Sequence, residues 1–280
     1  MEGGALPAET QMGAVHLTVS DLRRSTQYWT RAIGLRLLEQ GDGRASLGAG
    51  SRELVVLVEE PGARPAHGYT GLFHVALLVP ARRDLARFLA HAVRDRVPLA
   101  GLSDHFVSEA IYLSDPDDHG IEVYADRPRQ VWEGQVGARM TTERLDVDGL
   151  LAVLDDPAEE PFEGLPAGTV TGHVHLKVAD VPEAVAFYRD VLGFGLMATL
   201  GPQAAFLSAG GYHHHVGANV WQSRGAPPAP PGTAALRHAT ILVPGAERAA
   251  ALERVRAAGQ DPEDGFVRDP SGNRLELVAA

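Results

Sequence analysis

The chain has 280 residues, enough for two domains of ordinary size, and 45% of them are hydrophobic, enough for a packed core. Its formal net charge of −11 argues against nucleic acid, which needs a basic face, and no long basic run offsets that average. There is no cysteine, so disulfides, thiolate nucleophiles and Cys-ligated zinc or iron–sulfur centres are excluded, and any metal must be held by His, Asp or Glu.

The opening stretch, MEGGALPAETQMG, has no basic-then-apolar leader pattern. No apolar run approaches the ~20 residues of a membrane span, so a cytoplasmic protein without membrane contacts is expected. Residues 13–35, GAVHLTVSDLRRSTQYWTRAIGL, read as an alternating strand, a capping Asp, an amphipathic helix with aromatics and a Gly stop. LFHVALLVPARRDLARFLAHAVR (72–94) is a second strand and helix, and SDPDDHGIEVYA (114–125) is a polar turn with proline leading into a strand that carries Glu122. Residues 127–169, with DDPAEEPFEGLPAGT and one helical patch, VDGLLAVLDD, are acidic and read as a connector. GHVHLKVADVPEAVAFYRDVLGF (172–194) then repeats 13–35. GGYHHHVGANVW (210–221) reads as a strand, whose alternation would put His213 and His215 on one face and His214 on the other. After a rigid loop, SRGAPPAPPGT (223–233), LRHATILVPGAERAAALERVRAAG (236–259) repeats 72–94. RDPSGNRLELVA (268–279) repeats 114–125, with Glu276 in the place of Glu122. The chain is thus four units of roughly 50–60 residues, the third like the first and the fourth like the second. Residues 1–126 and 170–280 each hold two units, joined by 127–169.

These repeated strand–helix–strands units, with HVHLKVAD, AFYRDVLGF and DPSGNRLEL, resemble the vicinal oxygen chelate superfamily of glyoxalase I, bleomycin-resistance proteins and type I extradiol dioxygenases. The resemblance covers almost the whole chain. It implies an α+β fold of four βαβββ units that pair into two cup-shaped mixed sheets, with metal ligands on the first and last strands of units. At finer grain, YHHHVGANVW, SEAIYLSDPDDHGIEVYADRPR and GHVHL resemble the two-domain bacterial proteins of the catechol 2,3-dioxygenase type.

Carried over residue by residue, the first-strand ligand register falls on Ala14, His74, His173 and His238, and the last-strand carboxylates are Glu122 and Glu276. His16 and His175 stand two residues beyond Ala14 and His173. Two His and one carboxylate make the facial triad of non-haem Fe(II) oxygenases, which leaves open positions for substrate and O2. Two sets can be drawn: His74, Glu122 and His173 across the halves, or His173, His238 and Glu276 within the second half. The resemblance favours the first, because Tyr112 lies ten residues before Glu122 and follows DHFVS (104–108), whereas Phe266 holds the Tyr position before Glu276. His16, His238 and Glu276 could form a second site.

In the resemblance, HHVGA assigns the acid/base role to His215, with a pKa suited to proton transfer, and Tyr112 a hydrogen bond to substrate. His213, His175 and His105 are expected on the substrate side, His175 also as a support for His173. The implied activity is extradiol cleavage of a catecholic substrate by O2 with Fe(II), Mn(II) being the alternative ion, and the family commonly forms homodimers. A glyoxalase-like isomerase or lyase and a ligand-sequestering protein of the bleomycin-resistance type are the alternatives. His91, His119, Glu59–Glu60 and Glu159–Glu160 carry no motif and are expected to be solvated.

Overall fold

Alternation of apolar residues with polar ones or imidazoles builds most of the strands, and capped amphipathic segments build the helices between them. The computed structural model describes residues 5–158 and 160–280. The first unit contains β1 (Gln11–Val19), α1 (Leu22–Arg31), β2 (Arg36–Gly41), β3 (Arg44–Ala49) and β4 (Arg52–Glu59). The second contains β5 (Gly71–Leu78), α2 (Arg82–Arg94), β6 (Gly101–Asp104), β7 (Ser108–Ser114) and β8 (Gly120–Asp126). The third contains β9 (Val170–Lys177), α3 (Val181–Ala186), β10 (Gly195–Leu200), β11 (Ala204–Ser208) and β12 (Val216–Asn219). The fourth supplies β13 (Leu236–Val243), α4 (Gly245–Ala257), β14 (Phe266–Arg268) and β15 (Arg274–Ala279).

The repeat extends to the caps. Asp21 accepts from the Arg24 amide at the start of α1, and Asp180 accepts from the Glu183 amide at the start of α3, each at 2.9 Å. α3 widens into a π turn over Phe187–Leu192 and stops at Gly193, whose φ of 98° suits a residue without Cβ.

Each sheet draws on both halves of the chain. The seven-stranded sheet runs β14-β15-β13-β1-β4-β3-β2 and joins the first unit to the fourth. The nine-stranded sheet joins the second unit to the third in the order β6-β7-β8-β5-β9-β12-β11-β10, with the two-residue strand Glu143–Arg144 outside β6. Both seams are antiparallel, β1 with β13 and β5 with β9, while β1·β4, β13·β15, β5·β8 and β9·β12 are parallel. The division at 127–169 therefore marks the sequence repeat, and the sheets cross it. Val15 and Leu17 of β1, Val75 and Leu77 of β5, and Val174 and Leu176 of β9 share one buried core. The alternate residues of β9, namely His173, His175 and Lys177, line a cavity instead.

Two residues expected in solvent, His91 and His119, are buried, and a third, Glu160, is partly covered. His91 lies on α2 with Nε2 3.1 Å from the Arg31 carbonyl and its ring stacked on Phe162 at 4.1 Å. His119 holds the Thr18 carbonyl at 2.9 Å. Glu160 accepts from Arg87 at 2.7 Å and pairs with Arg83 at 3.4 Å, clamping the connector to α2. In each case a polar partner from a distant segment offsets the loss of water, which no local pattern reveals. Glu159 lies outside the described residues.

Candidate metal centre

The seam between β5 and β9 places His74 opposite His175, with His173 two residues along the same face. The parallel strand β8 runs beside β5 and sets Glu122 against Ala76, and the antiparallel β7 sets Tyr112 against Glu122. These registers gather one ligand atom each from His74, Glu122 and His173 within 4.8 Å of one another. The three residues are 5%, 2% and 2% exposed.

The donor set fits a small divalent ion. His74 Nε2 and His173 Nε2 both approach the same oxygen, Glu122 Oε2, at 2.9 and 3.2 Å. His74 Nε2 lies out of line for a hydrogen bond and has no other polar partner, and the buried His173 Nδ1 has none. Neighbouring ligands bound to one ion at 2.0–2.2 Å stand about 3 Å apart, which is the spacing found between each imidazole and the carboxylate. Burial alone would raise the pKa of Glu122, but the imidazoles of His173 and His74 that face it outweigh this and hold the carboxyl well below the usual range. Burial keeps His173 neutral, with a pKa lowered to about 4. A buried carboxylate with neutral imidazoles turned toward it is costly without a cation.

The cavity beside the triad has a volume of about 630 Å³. His105 and Tyr112 line it as a pair: His105 Nε2 is 2.7 Å from the Tyr112 hydroxyl, and His105 Nδ1 is 2.7 Å from the Thr141 carbonyl. Burial, and then the charge of Glu122, push the Tyr112 pKa well above its usual value, so Tyr112 keeps its proton. His175 also lines the cavity, 5.0 Å from the His74 ring and edge-on to Phe73. Gly217 faces it from β12: a Cβ there would lie 2.8 Å from the imidazole, so the close approach depends on glycine.

The triple histidine departs from the strand reading. Gly210 and Gly211 turn with φ of 58° and 68°, residues 213–215 lie outside any strand, and β12 begins only at Val216. Period-two alternation does not hold there, and His214 is the member that lines the cavity, its ring 4.0 Å from that of His173. His215, expected as the acid/base, is packed away with Nδ1 accepting from the Ala209 amide at 3.1 Å. Burial lowers its pKa to about 3. His213, expected on the substrate side, is fully buried, with Nε2 2.9 Å from Asp126 and Nδ1 2.8 Å from His214 Nδ1. With both rings neutral, His213 donates to Asp126 and accepts from His214, which leaves His214 Nε2 unprotonated. Burial holds His214 neutral, far below the usual imidazole range.

The other candidate ligands are in the other sheet. His238 Nε2 is 3.4 Å from Glu276 Oε2, and His16 stacks on His238 at 3.9 Å beside a cavity of about 380 Å³. The set His173, His238 and Glu276 is not brought together, because the seams join the second unit to the third and the first to the fourth. Ala14 stands where the third unit has His173, so this sheet lacks that ligand. Burial, and then neighbouring charges that include Arg44 and Arg237, lower the pKa of His16 to about 4 and of His238 to about 3, and Arg274 adds to the effect at His238. Those arginines also oppose a cation.

Sequence reasoning also passed over Phe73, Phe206, Trp221 and Lys177, which line the larger cavity. For Lys177 the signal was present, since it shares its strand face with His173 and His175. For the aromatics there was none, because their placement depends on which strands meet.

Comparison with known proteins agrees with the architecture. The model of the glyoxalase/bleomycin resistance protein/dioxygenase superfamily matches residues 11–123 and 171–277. A protein of Bacillus subtilis (strain 168) named catechol-2,3-dioxygenase is 42% identical over 282 residues, covering 96% of this chain and 98% of that protein. Among solved structures, glyoxalase I from Zea mays superposes with a TM-score of 0.60 at 17% identity, covering 97% of this chain and 92% of that one. The cppA protein from Streptococcus pneumoniae TIGR4 superposes with a TM-score of 0.57 at 13% identity, covering 98% and 99%. Two matched stretches spanning both halves, together with a full-length relative, identify the chain as a member of the glyoxalase/bleomycin resistance protein/dioxygenase superfamily.

Proposed function

We propose that the protein is an extradiol dioxygenase that opens the ring of a catecholic substrate with O2, using Fe(II), or Mn(II) as the alternative ion, held by His74, Glu122 and His173. The observation that carries this reading is the buried triad beside a cavity large enough for an aromatic ring. The name and identity of the Bacillus subtilis relative favour the same chemistry. When bound, the ion supplies Lewis acidity and a common meeting point for the diol oxygens and O2.

The chain's own groups hold the substrate and its protons. His105 donates from Nδ1 to the Thr141 carbonyl, so its Nε2 accepts the hydroxyl hydrogen of Tyr112, and the Tyr112 oxygen is left to accept a hydrogen bond from a substrate hydroxyl. His214 takes a hydroxyl proton at Nε2 as the diol binds, while His213 and Asp126 hold the ring through Nδ1. Phe73, Phe206 and His175 wall the ring and exclude water. A protein that only sequesters a ligand has no use for a buried triad, which counts against the binding-protein reading.

The test is anaerobic reconstitution with Fe(II), then addition of catechol and air. A yellow ring-opened product is expected. The absence of product with every catechol tried, together with the absence of bound metal, would sink the proposal. Glu122→Ala should lose both metal and turnover, whereas Glu276→Ala should keep both.

A further inference from the structure

Of the 25 lysines and arginines in the chain, one alone is a lysine, Lys177. It is also the one lysine or arginine among the described residues that line the cavity of the metal centre. It closes β9 on the face shared by His173 and His175 and is 9% exposed. Its ammonium donates to the Ala66 carbonyl at 3.1 Å, one of three possible hydrogen bonds, and no described carboxylate pairs with it. The acids that line the same cavity are engaged elsewhere: Asp117 with Arg24 at 2.7 Å, Asp118 with His67 at 3.2 Å, and Glu122 with the histidines. The fold does not require a lysine here, because the repeat puts Thr18 at the equivalent position of β1. A buried cation without a counter-ion is costly to keep, and burial lowers its pKa with no acid to restore it.

We propose that Lys177 is the recognition group for an anionic substituent, and that the substrate is a catechol with a short carboxylate-bearing side chain. This rests on the dioxygenase reading for the diol end and on Lys177 for the other. Four steps along the extended strand lead from His173 to Lys177, about 13 Å. That is comparable to a chelated diol ring, a side chain of one or two carbons and its carboxylate placed end to end. Phe73, Phe206 and Trp221 line the same cavity and pack around His175, which lies between His173 and Lys177 on the strand, and so offer a wall for the ring. The carboxylate supplies the charge that the ammonium lacks and takes its remaining hydrogen bonds.

Because the lysine is unique, labelling with 13Cε-lysine yields one side-chain signal for the whole protein. Adding 3-phenylpropionate, which has the acidic side chain but no diol, should shift that signal, and 3-phenylpropionamide should not. A signal unmoved by the acid, or moved equally by the amide, overturns the proposal. Turnover gives the second arm. The ratio of kcat/KM for 3-(3,4-dihydroxyphenyl)propionate to that for its amide should exceed about tenfold in the wild type, fall toward unity in Lys177→Gln and persist in Lys177→Arg. A ratio near unity in the wild type, or one that survives in Lys177→Gln, also overturns it and leaves Lys177 as a tether for the Ala66 carbonyl. If no catechol is cleaved, the dioxygenase reading fails alone, and the labelled-lysine titration still decides the subsite.

Discussion

His213, His214 and His215 follow two glycines in left-handed conformation, and that turn decides which imidazole meets the cavity. His214→Ala is expected to lower kcat by about 10²–10⁴-fold, the usual worth of a positioned acid/base, with metal content unchanged. Steady-state kinetics and metal analysis check both halves of that statement. His215→Ala removes the acceptor of the buried Ala209 amide and is expected to cost about 1–3 kcal/mol, read as a fall in Tm. Should His215→Ala abolish turnover at unchanged Tm while His214→Ala turns over normally, the assignment reverses. Gly217→Ala pushes a methyl into the His175 ring and should impair substrate binding more than folding, seen as a raised KM.

At the scale of elements, the repeated Asp-Pro turns do the same work twice. Asp115 accepts from Trp29 Nε1 on α1 at 3.1 Å and from the amides of Asp117 and His119. Asp269 accepts from the Tyr188 hydroxyl in the helical segment after α3 at 3.0 Å and from the amides of Ser271 and Asn273. Trp29 and Tyr188 are themselves equivalent in the repeat, so each turn pins the helix of its own half while the sheets cross between halves. Asp115→Ala orphans three buried donors and is expected to destabilise by about 2–4 kcal/mol, measurable in urea. Asp117, in the same turn, accepts from Ser20 at 2.6 Å and pairs with Arg24 at 2.7 Å. Burial alone would raise its pKa, but those partners lower it below 3.8. Its contribution is therefore full above the ordinary carboxylate value and is lost as pH falls through the lower folded value. Asp117→Asn should destabilise the protein at neutral pH and flatten the acid limb of its stability curve. An unchanged acid limb would discount the pair.

For the whole molecule, the crossed seams mean that neither half can complete its own sheets. Residues 1–126 alone would leave β1 and β5 each with one open edge where the seam partner is missing, so this fragment is expected to aggregate and to become soluble when co-expressed with 127–280. A soluble monomeric fragment with native far-UV dichroism would contradict that. No helix among the described residues is long and apolar enough to cross a membrane. The proposed metal centre draws its residues from both halves, so a bound ion would be a further link between them. Chelation should lower Tm in the wild type and leave Glu122→Ala unaffected, as thermal melts with and without chelator would report.

The sequence by itself determined the repeat, the strand-and-helix order and the capping aspartates, all of them local and set by periodicity of two or 3.6 and by turn chemistry. The registers of His74, Glu122 and His173 came from the family resemblance. Only the tertiary structure decided that the second unit pairs with the third, which gathers the three residues and leaves His238 and Glu276 with His16. Seam pairing depends on the complementarity of whole strand faces, and similar units present similar edges, so no single stretch distinguishes the alternatives. Tertiary structure likewise decided that His214 lines the cavity, because two left-handed glycines break the alternation on which the strand reading relied. Lys177 belongs to both: its face was legible in β9, and its isolation from every described carboxylate came only with the fold.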